Sequence, residues 1–128
     1  MDNLLVLIVE DETLIQLDLE TCLQEGGFET ATASSGKEAL TKIDASPLRA
    51  LVTDINLGKG PTGWDVARRA RELTPTLPVV YVTTVSSDEW RANGVPDSIL
   101  IGKPFVHAQI LTAVSQLVTA ASSLSAST

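Results

Sequence analysis

Leu4-Leu5-Val6-Leu7-Ile8-Val9-Glu10-Asp11-Glu12 opens with six consecutive apolar residues and closes with three acids. An unbroken apolar run of that length is how a parallel strand covered on both faces reads. The period then changes. From Glu12 to Gln24, Ile15, Leu19, Cys22 and Leu23 fall on one stripe at about 100° per residue, and Gly26-Gly27 supplies the stop. A buried strand therefore hands over to an amphipathic helix, with acidic residues at the joint.

The same unit recurs along the chain. Phe28 to Ala33 is a weaker, Thr-rich strand, and Ser35-Gly36 leads into a helix carrying Ala39, Leu40 and Ile43 until Pro47. Ala50 to Thr53 is a third strand. It is followed by the loop Gly58-Lys59-Gly60-Pro61-Thr62-Gly63 and a helix from Trp64 to about Leu73, ahead of Pro75. Val79 to Val82 is a fourth strand, and Ser86 caps a short fourth helix through Trp90 before Asn93, Gly94 and Pro96. Ile99 to Ile101 is a fifth strand, and Val106, Ile110, Ala113, Val114, Leu117 and Val118 mark a last amphipathic helix. Five such pairs with short connections predict a doubly wound α/β domain, a five-stranded parallel sheet flanked by five helices with the fourth degenerate. One domain is expected over 1–121, with the small polar residues 122–128 as a frayed, disordered tail.

Composition narrows the partners. The 128 residues carry 9 Lys+Arg against 16 Asp+Glu, a formal net charge of −7, and no basic cluster, which disfavours binding to nucleic acid. No stretch approaches the roughly 20 apolar residues of a membrane helix, and the N-terminus lacks the basic region of a secretory signal, so a cytoplasmic location is expected. A single cysteine, Cys22, and a single histidine, His107, exclude disulfides within the chain and the usual Cys/His zinc sites. Cys22 reads as core, and His107 as an exposed residue in the first turn of the last helix.

In a doubly wound sheet the site lies beyond the carboxyl ends of the strands, at the switch point of the strand order. Strand one delivers Glu10-Asp11-Glu12 there, strand three Asp54, strand four Thr83-Thr84, and strand five Lys103-Pro104-Phe105. Singly, each has an ordinary structural reading: Asp11 as a helix cap, Asp54 as a solvated acid, Thr83 as a backbone-bonded hydroxyl, Lys103 as surface charge. Their meeting on one edge is unexplained by those readings. Three carboxylates about 5 Å apart repel by roughly 3 kcal/mol per pair at an effective dielectric near 20. One ammonium does not offset that, so the cluster needs a hard divalent cation or must hold a proton. Few protein ligands favour Mg²⁺ over Ca²⁺. Carboxylates, a hydroxyl and an ammonium around a metal suit a phosphoryl group, and without a catalytic histidine any covalent step falls to an aspartate.

Leu7-Ile8-Val9-Glu10-Asp11-Glu12, Asp54, Thr83 and Lys103-Pro104-Phe105, in that order on a β/α alternation, resemble the response-regulator receiver domains of two-component signalling, through about Val118. The resemblance implies a flavodoxin-like sheet of order 2-1-3-4-5 and a cis Lys103-Pro104 bond. It also implies phosphoryl transfer from the phosphohistidine of a sensor histidine kinase or phosphotransfer protein onto Asp54. In that family's terms Asp11, Asp54 and the Asn56 carbonyl hold Mg²⁺ directly and Glu10 directly or through water, while Thr83 and Lys103 meet the phosphoryl oxygens. The domain would assist its own phosphorylation and dephosphorylation without being an enzyme.

The chain also departs from that pattern. Thr84 stands where a small residue is usual, Leu100 replaces the aromatic that turns inward on activation, and the loop after Asp54 lacks the common Met-Pro element. With Tyr81-Val82-Thr83-Thr84 these features are similar to atypical single-domain receivers bearing a Phe-Ala-Thr-Gly type motif. No effector segment is recognised after the last helix, so output is expected through a downstream protein target or a phosphorelay. Leu14, Leu17, Asp18 and Thr21, with Pro104 and Phe105, form the expected docking face. Two other readings stand beside the receiver: a non-phosphorylated pseudo-receiver that only binds protein, and a hydrolase with an aspartate nucleophile. The second is disfavoured by a short chain whose candidate nucleophile follows strand three.

Overall fold

Val6, Leu7, Ile8 and Val9 are wholly buried, as an apolar run sandwiched between two helical layers must be. The computed structural model describes residues 3–126. Its elements are β1 (Leu5–Val9), α1 (Thr13–Glu25), β2 (Glu29–Ala33), α2 (Gly36–Ala45), β3 (Ala50–Thr53), α3 (Gly63–Leu73), β4 (Val79–Thr83), α4 (Ser87–Asn93), β5 (Ile99–Gly102) and α5 (His107–Ala126). All strand pairs are parallel, in the order β2-β1-β3-β4-β5. The chain leaves β1 toward one edge to form β2 and returns past it to form β3, so the switch point falls between β1 and β3.

Alternation along the strands divides the apolar residues between two cores. Leu7, Val9, Leu51, Val79 and Tyr81 pack with α2 and α3 through Ala39, Ile43, Val66, Ala67 and Ala70. Val6, Ile8, Val52, Val80 and Val82 face α1 and α5 through Leu19, Cys22, Leu23, Ile110 and Val114. The Cys22 thiol is buried and donates to the His107 carbonyl, the core role expected of it.

Local chemistry sets the helix starts. Ser35 caps α2 by accepting from Glu38 N, and a reciprocal Thr62–Asp65 capping box opens α3. Ser86 caps α4, which runs to Asn93, three residues past the expected end at Trp90, although it remains a short helix of 7 residues. The tail differs more. Where the sequence reading ends order near 121, α5 continues to Ala126, because no glycine or proline interrupts the run from His107 and alanine and leucine favour helix. The expectation for residues 127 and 128 lies outside the described residues. No helix among the described residues is long and apolar enough to cross a membrane.

Candidate phosphoacceptor site

Asp54 follows the last residue of β3, and its amide donates to the Val9 carbonyl at 2.9 Å, while Glu10 N donates to Ala33 O at 3.0 Å. The parallel ladder thus extends one residue past the strands and fixes both acids side by side at the switch point. Both are buried, Glu10 at 1% and Asp54 at 8% relative exposure. One oxygen each from Glu10, Asp11 and Asp54 lies within 4.8 Å of the others. Glu12 stands at the cap position before α1 and makes no side-chain cap bond, so Asp11 is not the helix cap. It makes no hydrogen bond or ion pair among the described residues.

Lys103 enters from the end of β5, held by its own amide donating to Thr83 O at 3.0 Å. Its Nζ donates to Glu10 Oε1 at 2.6 Å and Asp54 Oδ2 at 2.8 Å. Far from being surface charge, the lysine is 13% exposed and serves as the internal counter-ion of two buried acids. Their other oxygens accept from backbone: Glu10 Oε2 from Glu12 N at 3.2 Å and Asp54 Oδ1 from Ile55 N at 2.6 Å.

Burial, only partly offset by the Lys103 hydrogen bond, raises the Glu10 carboxyl above its ordinary value. Burial alone would lower the Lys103 ammonium, but its hydrogen bonds to Asp54 and Glu10 outweigh that and raise it. The pocket therefore keeps its one positive charge and still holds more carboxylates than cations.

The surroundings leave little freedom. A Cβ on Gly63 would lie 2.0 Å from the Asp54 carbonyl oxygen, so only glycine lets α3 start this close to the site. Gln16 Nε2 donates to Glu10 O at 2.9 Å and lies within reach of Ala33 O and Ser34 Oγ. Sequence reasoning missed Gln16, because a polar residue on the flank of a helix carries no signal of reaching two strand ends. Thr83 is buried at the end of β4, its Oγ1 accepting from Val85 N at 3.4 Å. Asn56 is exposed two residues beyond Asp54. The Lys103-Pro104 peptide is cis.

Leu14, Asp18, Pro104 and Phe105 line one cleft of about 580 Å³ together with Ile15 and Lys103. Leu17 and Thr21 are exposed on the same helix but do not line it. His107, expected to be exposed, is half-exposed and pairs through Nε2 with Asp18 Oδ1 at 2.7 Å. The two residues are 89 apart in sequence, beyond the reach of helical periodicity.

A doubly wound sheet with a buried acidic pocket at its switch point, one lysine bridging two of the acids and a threonine on the next strand, defines a class of small α/β phosphoacceptor domain. The response regulator receiver domain model matches residues 6–115, and the chain belongs to that family, the receivers of two-component systems. A response regulator receiver protein from Sinorhizobium medicae is 42% identical, covers 94% of this chain and 98% of its own, and superposes with a TM-score of 0.90. The transcriptional regulatory protein PrrA of Mycobacterium tuberculosis is 35% identical over 117 residues, 88% of this chain. Only 48% of PrrA is matched, so the chain spans about half the length of that relative. Response regulator receiver protein CpdR of Brucella abortus is 24% identical and is matched over 98% of its length.

Proposed function

We propose that Asp54 accepts a phosphoryl group from a phosphohistidine on a sensor histidine kinase or phosphotransfer protein. The observation that carries this reading is the placement of Asp54: buried, beside two further acids, with Lys103 Nζ at 2.8 Å. A carboxylate oxygen of Asp54 attacks phosphorus in line, the P–N bond breaks with its electron pair leaving on the imidazole, and an acyl phosphate forms. Lys103 turns from carboxylates to a phosphoryl oxygen, and the Thr83 hydroxyl donates to another. An excess of hard oxygen donors over the single ammonium fits Mg²⁺, with the Glu10, Asp11 and Asp54 side chains and the Asn56 carbonyl as its holders. When bound, the ion supplies charge neutralisation for the phosphoryl oxygens.

The cleft between α1 and the β5–α5 loop gives this chemistry an approach. Leu14 is 81% and Leu17 55% exposed, and with Asp18, Thr21, Pro104 and Phe105 they form the face on which a donor's helices dock. Leu14→Glu is expected to slow phosphotransfer while leaving the unfolding midpoint unchanged; equal transfer rates in a stopped time course would remove this face from the account. Output then passes to a protein target or onward relay in the cytoplasm, and the same pocket assists loss of the phosphoryl group.

Leu100 and Thr84 favour a second reading, a pseudo-receiver that binds protein without phosphorylation. An amide NMR titration with Mg²⁺ and beryllium fluoride, a phosphoryl stand-in, separates the two. The phosphoacceptor reading expects shifts at Asp54, Thr83 and Lys103 that disappear in Asp54→Ala. No response at millimolar Mg²⁺ favours the pseudo-receiver.

A further inference from the structure

Lys103 holds the side chains of Glu10 and Asp54, but not that of the third acid. Asp11 is exposed, and its carboxylate has no hydrogen-bond or ion-pair partner among the described residues, yet one of its oxygens stands within 4.8 Å of the other two acids. Its place is therefore set through the backbone on either side of it.

On the far side, Glu12 N donates to Glu10 Oε2 at 3.2 Å. On the near side the peptide joining Glu10 to Asp11 is planar and turns as one body, so whatever bonds its carbonyl oxygen sets the direction in which the chain enters Asp11. Among the described residues that oxygen has one partner, the Gln16 amide nitrogen at 2.9 Å. The same nitrogen has Ala33 O at 3.3 Å and Ser34 Oγ at 3.2 Å in reach. Both carbonyls only accept, so it is the nitrogen of the amide, with its two N–H groups, that must face them. Gln16 sits in the first turn of α1, where its own N–H donates to Glu12 O at 2.9 Å. A side-chain cap commonly fixes the entry to a helix. Glu12 makes none, and Gln16 ties the turn to the strand ends instead.

We propose that Gln16 is a positioning residue of the acidic pocket: by bonding the Glu10 carbonyl to the first turn of α1 it fixes the 10–11 peptide, and so presents the Asp11 carboxylate to a divalent cation beside Glu10 and Asp54. The proposal rests on the reading of this pocket as a Mg²⁺ site. Lysine and glutamine then divide the work, Lys103 holding two acids by charge and Gln16 placing the third through the backbone. A side chain of the same length without the amide would fill the space and leave the peptide free to turn.

A Mg²⁺ titration of the full chain, followed by amide NMR, tests this without a phosphodonor. Gln16→Met keeps the length of the side chain and removes the donor, and should weaken Mg²⁺ binding by about tenfold. Gln16→Asn keeps an amide that falls one methylene short, and should behave in the same way. In both, the heteronuclear NOE of Asp11 and Glu12 should drop while that of Asp54 stays at its wild-type value. The decisive comparison is made in Asp11→Asn, where Gln16→Met should change the affinity by under about twofold, because no carboxylate remains to be placed. Wild-type affinity in either Gln16 variant, or the same loss with and without the Asp11 carboxylate, overturns the positioning role while leaving the pocket as a Mg²⁺ site. Absence of any Mg²⁺ response in the wild type overturns both.

Discussion

On the β1–β3 side of the pocket, Glu10 and Asp54 are buried, each is fixed by backbone bonds to a neighbouring strand, and both share Lys103 at under 3 Å. On the β4–α4–β5 side, a helix of 7 residues buries none of them, and Val85 in the loop leading into it donates to Thr83 Oγ1 at 3.4 Å. The first region holds the acids and lysine that the sequence resemblance assigns to the site; the second holds Thr84 and Leu100, the two departures from that pattern. Where charges must meet at fixed distances, the surrounding backbone is over-determined. Where few buried contacts hold an element, its displacement costs little, and motion is available for signalling.

Removing the charge that unites the first region should have the largest effect. Lys103→Met leaves two buried acids without their cation and is expected to cost about 3 kcal/mol in denaturant unfolding, with part recovered on adding Mg²⁺. A loss under about 1 kcal/mol would mean that the acids are protonated or solvated rather than ion-paired. In the second region, Ser86→Ala removes the cap of α4 and should cost about 1 kcal/mol or less, because the helix contributes little buried surface. If it destabilises more than Lys103→Met, the comparison is inverted.

The smallest effect concerns Tyr81 and is confined to alkaline pH. Burial pushes its phenol above the ordinary value of 10.0. The folded pKa then exceeds the unfolded one, so this contribution to stability is complete below pH 10 and is lost as pH rises through the raised value. Wild-type stability should fall over that interval, and Tyr81→Phe should fall less steeply, as followed by urea midpoints at successive pH values. Parallel curves would place Tyr81 in contact with water.

Most of the first region was legible in the sequence. Apolar runs ending in polar residues locate the strands, and a parallel sheet brings Glu10, Asp54, Thr83 and Lys103 to one edge whatever the details of packing. Side-chain contacts across the fold were not legible. Gln16 reaching Glu10 O, His107 pairing with Asp18, and Tyr81 receiving Val95 N each depend on how elements pack, and periodicity reports only which face is buried. At the end of α5 the local signal is two-sided: small polar residues read as a tail, yet no breaker separates them from the preceding helix.

The central claim is that Asp54 carries the phosphoryl group, and intact mass after incubation with phosphoramidate and Mg²⁺, followed by borohydride reduction, tests it most directly. The account predicts a gain of one phosphoryl group, absent in Asp54→Asn, and conversion of residue 54 to homoserine on reduction of the acyl phosphate. No gain in mass, or homoserine at a position other than 54, would contradict it.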